Sequence, residues 1–148
     1  MAIKYSKLDH AKIQQKDIDA INTLLKQMSP NVKPIDAKKI ENMLSTYNAL
    51  IHMAVDEETA EIVGIATLLH NEKFVAKFGT IEDVVVDEKY RGQGIGKRLT
   101  EILIENGKLI GLKHIDLTSR PHRTAANALY KKLGFEPKDT NVYRMMLE

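Results

Sequence analysis

The sequence predicts an α/β fold, a mixed central sheet of about seven strands flanked by helices on both faces. Three observations carry this. β-branched apolar runs of strand length recur between stretches whose apolar residues follow helical spacing. Read in order, the elements run β-α-α-β-β-β-α-β-α-β-β, a succession that builds a sheet with helices packed on it. The chain has 148 residues, 43% hydrophobic and 28% charged, which suits one globular domain over 1–148 with a sizeable core.

The first strand is expected at Ile3 to Leu8. Asp17 to Met28 carries Ile18, Ile21, Leu24, Leu25 and Met28 on one helical stripe. Ser29-Pro-Asn-Val-Lys-Pro34 breaks it, and Asp36 caps a short second helix carrying Ile40, Met43 and Leu44. Ala49–Val55 and Ala60–Leu69 read as a hairpin about the turn Asp56-Glu-Glu-Thr, followed by a strand from Ala76 to Val86. A helix over Lys97–Ile110 ends at Gly111 as its C-cap. His114–Thr118 is a short strand and Thr124–Leu133 a helix ended by Gly134. Phe135-Glu-Pro and Val142–Leu147 are expected as the last two strands.

Composition narrows the partners. Net charge is only +2 with both signs interspersed, so no nucleic-acid or membrane partner is expected. No apolar run approaches the roughly 20 residues of a bilayer span, and the N-terminus lacks a signal-peptide core, so a cytoplasmic location is expected. The absence of cysteine excludes disulfides, thiolate metal sites and an acyl-cysteine intermediate. The five histidines (His10, His52, His70, His114, His122) show no ligand spacing, and no metal is expected.

The stretch around which the chain is organised runs from Gly79 to Leu99. A buried strand, Ile81–Val86, leads through the polar turn Asp87–Arg91 into three glycines in five residues, Gly92, Gly94 and Gly96, and then a helix. Strand, glycine-rich turn, helix holds a pyrophosphate: the first-turn N–H groups point outward, the dipole favours an anion, and glycine admits the ligand to the backbone. A dinucleotide fingerprint fails on Lys97 and Leu99, where it needs glycine. A P-loop fails on Arg91, where it needs glycine, and on Arg98, where it needs a hydroxyl.

What fits is R-x-x-G-x-G, as Arg91-Gly92-Gln93-Gly94-Ile95-Gly96, preceded by Glu-Asp-Val-Val-Val-Asp. In this setting it resembles motif A of the GCN5-related N-acetyltransferases. A second block, Ala-x-x-Leu-Tyr-x-x-x-Gly-Phe within Leu117–Phe135, resembles the family's motif B. The resemblance implies a GNAT-type fold and acetyl-CoA as cosubstrate, its pyrophosphate on Arg91–Gly96 with Lys97 adding charge. It implies that the pantetheine arm meets the main chain of Val84, Val85 and Val86, beside Asn127. It puts Tyr130 near the sulfur as general acid, and it implies a homodimer.

The chemistry gives these roles a reason. An amine attacks the thioester carbonyl, so nitrogen must lose a proton, an oxyanion must be stabilised and a thiolate must leave. A tyrosine, with a pKa near ~10, stays protonated at neutral pH and can donate to that thiolate. Strand N–H groups can stabilise the oxyanion. With no cysteine to carry the acetyl group, direct transfer is the simpler route. Glu82 is the favoured base, directly or through water, with its neighbour Asp83 as the alternative. Adjacent strand residues point to opposite faces, unless a bulge breaks the alternation.

The acceptor is expected to be a small-molecule primary amine. The alternatives are a protein lysine or N-terminus, or a non-catalytic acyl-CoA-binding or sensing module on the same fold. The first block resembles the glucosamine 6-phosphate N-acetyltransferases. The second departs from them: Thr118-Ser-Arg-Pro-His-Arg123 stands where those enzymes carry acidic residues.

Overall fold

The computed structural model describes residues 2–148. The chain divides into two compact units, Met1–Leu117 and Thr118–Glu148. In the first, β1 (Ile3–Lys7), β2 (Ala49–Asp56), β3 (Glu61–Glu72), β4 (Lys77–Val86) and β5 (His114–Asp116) form one sheet in sequence order. The first three pairings are antiparallel and β4–β5 is parallel, so the sheet is mixed.

Helices α1 (Gln15–Met28) and α2 (Ala37–Ser45) start where side chains can cap them. The Gln14 N–H donates to Asp17 Oδ2 at 2.9 Å, and the Lys39 N–H donates to Asp36 Oδ1 at 2.9 Å, each occupying a polar group the helix end leaves free. Between the helices, Asn22 grips the backbone of Ile35 twice: Nδ2 donates to its carbonyl at 3.0 Å and Oδ1 accepts its N–H at 2.8 Å. That bond pair ties the proline-containing connection back onto α1.

The two faces of the sheet can be told apart along β3. Ile65 and Leu69 pack in the cluster formed with Ile18, Ile21, Leu24 and Leu25 of α1 and Ile40 of α2. At the opposite parity, a Cβ on Gly64 would lie 3.3 Å from both Ile95 and Leu99, which belong to α3 (Ile95–Leu109). Alternate residues of a strand point to opposite faces, so α1 and α2 cover one side and α3 the other. Leu99 and Leu103 of α3 are fully buried, each worth about 1.5–3 kcal/mol of transfer free energy.

The helix expected over Lys97–Ile110 begins two residues earlier, with Ile95 and Gly96 inside it and Ile110 rather than Gly111 as its C-cap. Gly111 takes the next position, its N–H donating to the Lys108 carbonyl at 3.2 Å. The second unit contains one helix, α4 (Thr124–Lys132). No residue of α4 is fully buried, and Leu129 and Leu133 are half-buried.

The sheet has five strands, not about seven. Among the described residues no strand follows Asp116: Phe135-Glu-Pro and Val142–Leu147 have no ladder. Val142, Tyr143, Met145, Met146 and Leu147 are all largely exposed. Their apolar pattern is a run rather than an alternation, so it specifies no face to bury, and strand preference is realised only against a neighbour. Pro137 also removes a donor from the stretch.

Candidate active site

The candidate site is built around a break in the register of β4 near its end. On β3, Ile65 and Thr67 are separated by one residue; their partners on β4, Val85 and Glu82, are separated by two, Asp83 and Val84. This is a β-bulge, and it is made by Asp83 adopting φ +53°, a left-handed conformation that aspartate tolerates better than most residues. The bulge resets the side-chain parity of the strand. Val85 joins the buried cluster on the α1 face, whereas Val86 points to the α3 side, 3.7 Å from where a Gly96 Cβ would sit. Val84 precedes them, half-buried and outside the β3 register.

The other edge of β4 is free over the same residues. Pairing with β5 covers only Phe78↔His114, Gly79↔Ile115 and Thr80↔Asp116, so among the described residues Ile81–Val86 have no strand partner on that side. Unpaired backbone groups along such an edge are ready to bind an extended ligand.

Glu82 and Asp83 sit where the bulge turns. Both side chains are exposed; partial loss of hydration still raises the Glu82 carboxyl above its ordinary range, and the neighbouring Asp83 charge adds to this. Asp83 is raised by the same desolvation, opposed by the positive charge of Lys39 on α2. Two carboxylates at adjacent positions thus hold their protons more tightly than free ones, the direction a general base working near neutral pH requires.

The glycine turn follows directly. Asp87 caps a single 3₁₀ turn, Glu88–Tyr90, and Arg91 leads into Gly92 and Gly94 with φ of +81° and +80°. At both glycines a Cβ would meet nothing within 4 Å, so only backbone conformation demands glycine and the space above is open. Gly94 caps α3 without any side-chain partner for the first-turn N–H groups, which leaves those of Ile95, Gly96 and Lys97 directed outward. Gly92, Gln93, Gly94 and Lys97 are exposed and Ile95 is an anchor in the core. Arg91, expected to meet an anion, also holds the turn itself: its Nε donates to the Val86 carbonyl at 3.0 Å.

In the second unit, α4 carries the other two expected site residues. Asn127 Nδ2 donates to the carbonyls of Arg120 at 3.1 Å and Pro121 at 3.5 Å; it fastens the preceding loop and keeps its Oδ1 as an acceptor. Tyr130 sits in the last turn, where Gly134 (φ +103°) ends the helix. The Gly134 N–H donates to the Lys131 carbonyl and the Phe135 N–H to the Tyr130 carbonyl, the two bonds of a Schellman motif. Desolvation raises the Tyr130 hydroxyl above its ordinary value, opposed by Arg123.

The expected residues Glu82, Val84, Val85, Val86 and Arg91–Lys97 therefore share one continuous strand–bulge–turn–helix in the first unit, while Asn127 and Tyr130 belong to the second. Sequence reasoning missed the residues that hold the turn from behind. Gln27 Oε1 accepts the Glu88 N–H at 3.0 Å, and the Tyr90 hydroxyl donates to Asp56 Oδ2 at 2.7 Å. Both partners lie more than 30 positions upstream in the chain, and no local spacing marks them.

Comparison with known proteins identifies the family. Residues 18–135 match the model of the acetyltransferase (GNAT) family. The glucosamine 6-phosphate N-acetyltransferase of Trypanosoma brucei brucei is 30% identical over 128 residues, covering 83% of this chain and 85% of that protein. That of Oryza sativa subsp. japonica is 28% identical, covering 80% and 74%. A crystal structure of a Trypanosoma brucei acetyltransferase superposes with a TM-score of 0.81 at 27% identity, over 98% of this chain and all of that one. The glucosamine-6-phosphate N-acetyltransferase structure from Arabidopsis thaliana gives 0.82 at 23% identity, over 98% and 99%, a likeness of fold. The chain belongs to the GNAT family and is an acetyltransferase.

Proposed function

We propose that the protein transfers the acetyl group of acetyl-CoA directly to the primary amine of a small molecule. The observation that supports this most is the bulged end of β4 opening into a glycine turn whose first-turn N–H groups are free. The chain acts as one acetyltransferase domain, the matched region 18–135 running through both compact units. Arg91, Gly92, Gln93, Gly94, Ile95, Gly96 and Lys97 bind the pyrophosphate, largely through backbone N–H groups. The free edge of Val84–Val86 takes the pantetheine arm by main-chain bonds, with Asn127 contributing its remaining acceptor.

Each bond change then has a residue. Glu82 takes the proton from the amine, directly or through water, as nitrogen forms its bond to the thioester carbon. Backbone N–H at the bulge stabilises the oxyanion. When the C–S bond breaks, Tyr130 gives its proton to the leaving thiolate, a role suited to a hydroxyl whose raised pKa keeps it protonated. Amino-sugar phosphates are the first acceptors to try, because the Trypanosoma and Oryza relatives are named for glucosamine 6-phosphate. Family analogy extends the reading to a cytoplasmic homodimer.

The test is acetyl-CoA-dependent thiol release across glucosamine 6-phosphate, other amino sugars, polyamines, amino acids, arylalkylamines and lysine peptides. Turnover with one small-amine class, with the acetylated product seen by mass, is the expected result. Turnover on peptides alone would replace the small-molecule acceptor with a protein one, and acetyl-CoA binding without any turnover would favour a sensing module.

A further inference from the structure

The glycine turn has a structural problem that its own residues do not solve. Gly92 and Gly94 have nothing within 4 Å of where a side chain would begin, and the turn is exposed from Arg91 to Gly94. Glycine loses more conformational freedom on ordering than any other residue, so a free turn would have to be ordered by the ligand it binds, at a cost in affinity. Something outside the turn must hold it.

The segment just upstream is fastened at successive positions. The Asp87 N–H donates to the Val63 carbonyl of β3 at 2.8 Å, and Asp87 Oδ1 in turn accepts the Lys89 N–H at 2.9 Å. Gln27 of α1 takes the Glu88 N–H, and Arg91 Nε returns to Val86. One of these ties differs in kind. The Tyr90 hydroxyl reaches Asp56 Oδ2 at 2.7 Å, and Asp56 is only 3% exposed.

Asp56 is itself held on several sides. It ends β2, paired with Ile3 on one side and Glu61 on the other. Its Oδ1 accepts the Glu58 N–H at 2.9 Å and its carbonyl accepts the Ala60 N–H at 2.7 Å. A carboxylate fixed this way is a rigid acceptor, and a hydrogen bond to a charged group is stronger than a neutral one.

We propose that Tyr90 is a positioning residue for coenzyme A, holding the glycine turn in its anion-binding shape through the buried carboxylate of Asp56. The inference rests on the acetyl-CoA reading of the turn. It concerns binding of the pyrophosphate only, since neither side chain belongs to β4's bulge, where the acetyl group reacts. Tyr90 is thus separable from the chemistry in a way that Tyr130 and Glu82 are not.

The separation provides the test. S-acetylpantetheine keeps the thioester and the arm but lacks the pyrophosphate and nucleotide. Tyr90→Phe should raise the Kd for CoA by about tenfold, the scale of one hydrogen bond. It should leave kcat at saturating acetyl-CoA, and kcat/KM for acetylpantetheine, within about twofold of the parent protein, differences below the reach of one hydrogen bond. Asp56→Asn should weaken CoA binding in the same direction, and the double variant should lose no more than the worse single one, because the pair acts as a unit. An unchanged CoA Kd in Tyr90→Phe would overturn the proposal. So would an equal loss with both cosubstrates, which marks general disruption, or additive losses in the double variant. A parent protein that binds no CoA at all would remove the functional reading first, before any variant is compared.

Discussion

The Phe135 N–H donates to the Tyr130 carbonyl at 3.0 Å, and the two rings meet edge to face with centroids 5.9 Å apart. This is the backbone bond and the apolar contact of a Schellman motif made by one pair of residues. It gives the Leu-Tyr-x-x-x-Gly-Phe spacing a physical meaning: Gly134 permits the turn, and Phe135 folds back onto the tyrosine ring five positions before it. Tyr130→Phe retains the ring contact and should fold normally, while kcat falls about a hundredfold or more through loss of the proton donor. The KM for acetyl-CoA should change little. Steady-state kinetics with a thermal melt checks both halves; unchanged turnover removes Tyr130 from the mechanism.

Glu82 and Asp83 make a prediction in pH. A base must be deprotonated to act, so the acid limb of the kcat/KM profile should lie above the ordinary carboxylate range, because desolvation and the Asp83 charge both raise Glu82. Asp83→Asn removes one of those causes, and asparagine tolerates the φ of +53° at that position. The acid limb should therefore move to lower pH in Asp83→Asn and disappear with most of the activity in Glu82→Gln. A limb unmoved in Asp83→Asn would show that Glu82 is not the group titrating.

Gly96 should separate stability from affinity. It lies in the first turn of α3, and a Cβ there would sit at ordinary contact, 3.7 Å from Val86 Cγ2. Gly96→Ala should stabilise the helix by about 0.5–1 kcal/mol, the usual advantage of alanine over glycine. The same methyl lies beside the outward N–H groups, so CoA binding should weaken. Thermal melting and calorimetry on one variant should move in opposite senses.

His52 predicts how stability changes with pH. It is buried on the α3 face of β2, its Nε2 3.3 Å from Asn106 Nδ2, and burial, then the Lys7 charge, lowers its pKa from the ordinary 6.5. The unfolded chain thus binds a proton there more readily than the folded one. Its contribution is fully present above pH 6.5 and declines as pH falls below that value toward the lowered folded pKa. His52→Gln should flatten the stability loss that begins as pH falls below 6.5. The loss at lower pH should remain, where Asp56, lowered chiefly by the Tyr90 hydrogen bond, takes up its proton. Denaturant midpoints measured across this range would show it.

Local signals were readable and distant ones were not. Asp36 marked its helix start and Gly134 its helix end, because caps are short-range chemistry. Val84–Val86 and Arg91–Lys97 were legible as parts of one strand–turn–helix because these elements are consecutive in the chain. The Asp83 bulge was foreseen only as a condition: nothing in Glu-Asp-Val-Val-Val states which residue takes the left-handed conformation. The carboxylate behind Tyr90 was invisible, since Asp56 looked like one acid in an ordinary hairpin turn. The two C-terminal strands failed for the opposite reason. Val142–Leu147 has the composition of a strand, yet pairing depends on a neighbour that composition does not supply.

The most direct measurement is a calorimetric titration of acetyl-CoA into the parent protein and into Gly94→Val. Valine at a φ of +80° costs about 1–2 kcal/mol and places its side chain in the open space above the turn. The account predicts saturable one-site binding to the parent protein and a loss of about tenfold or more in the variant, with the variant still folded by circular dichroism. Equal affinity in the two proteins, or no binding to the parent, would contradict the assignment of the Arg91–Gly96 turn to acetyl-CoA.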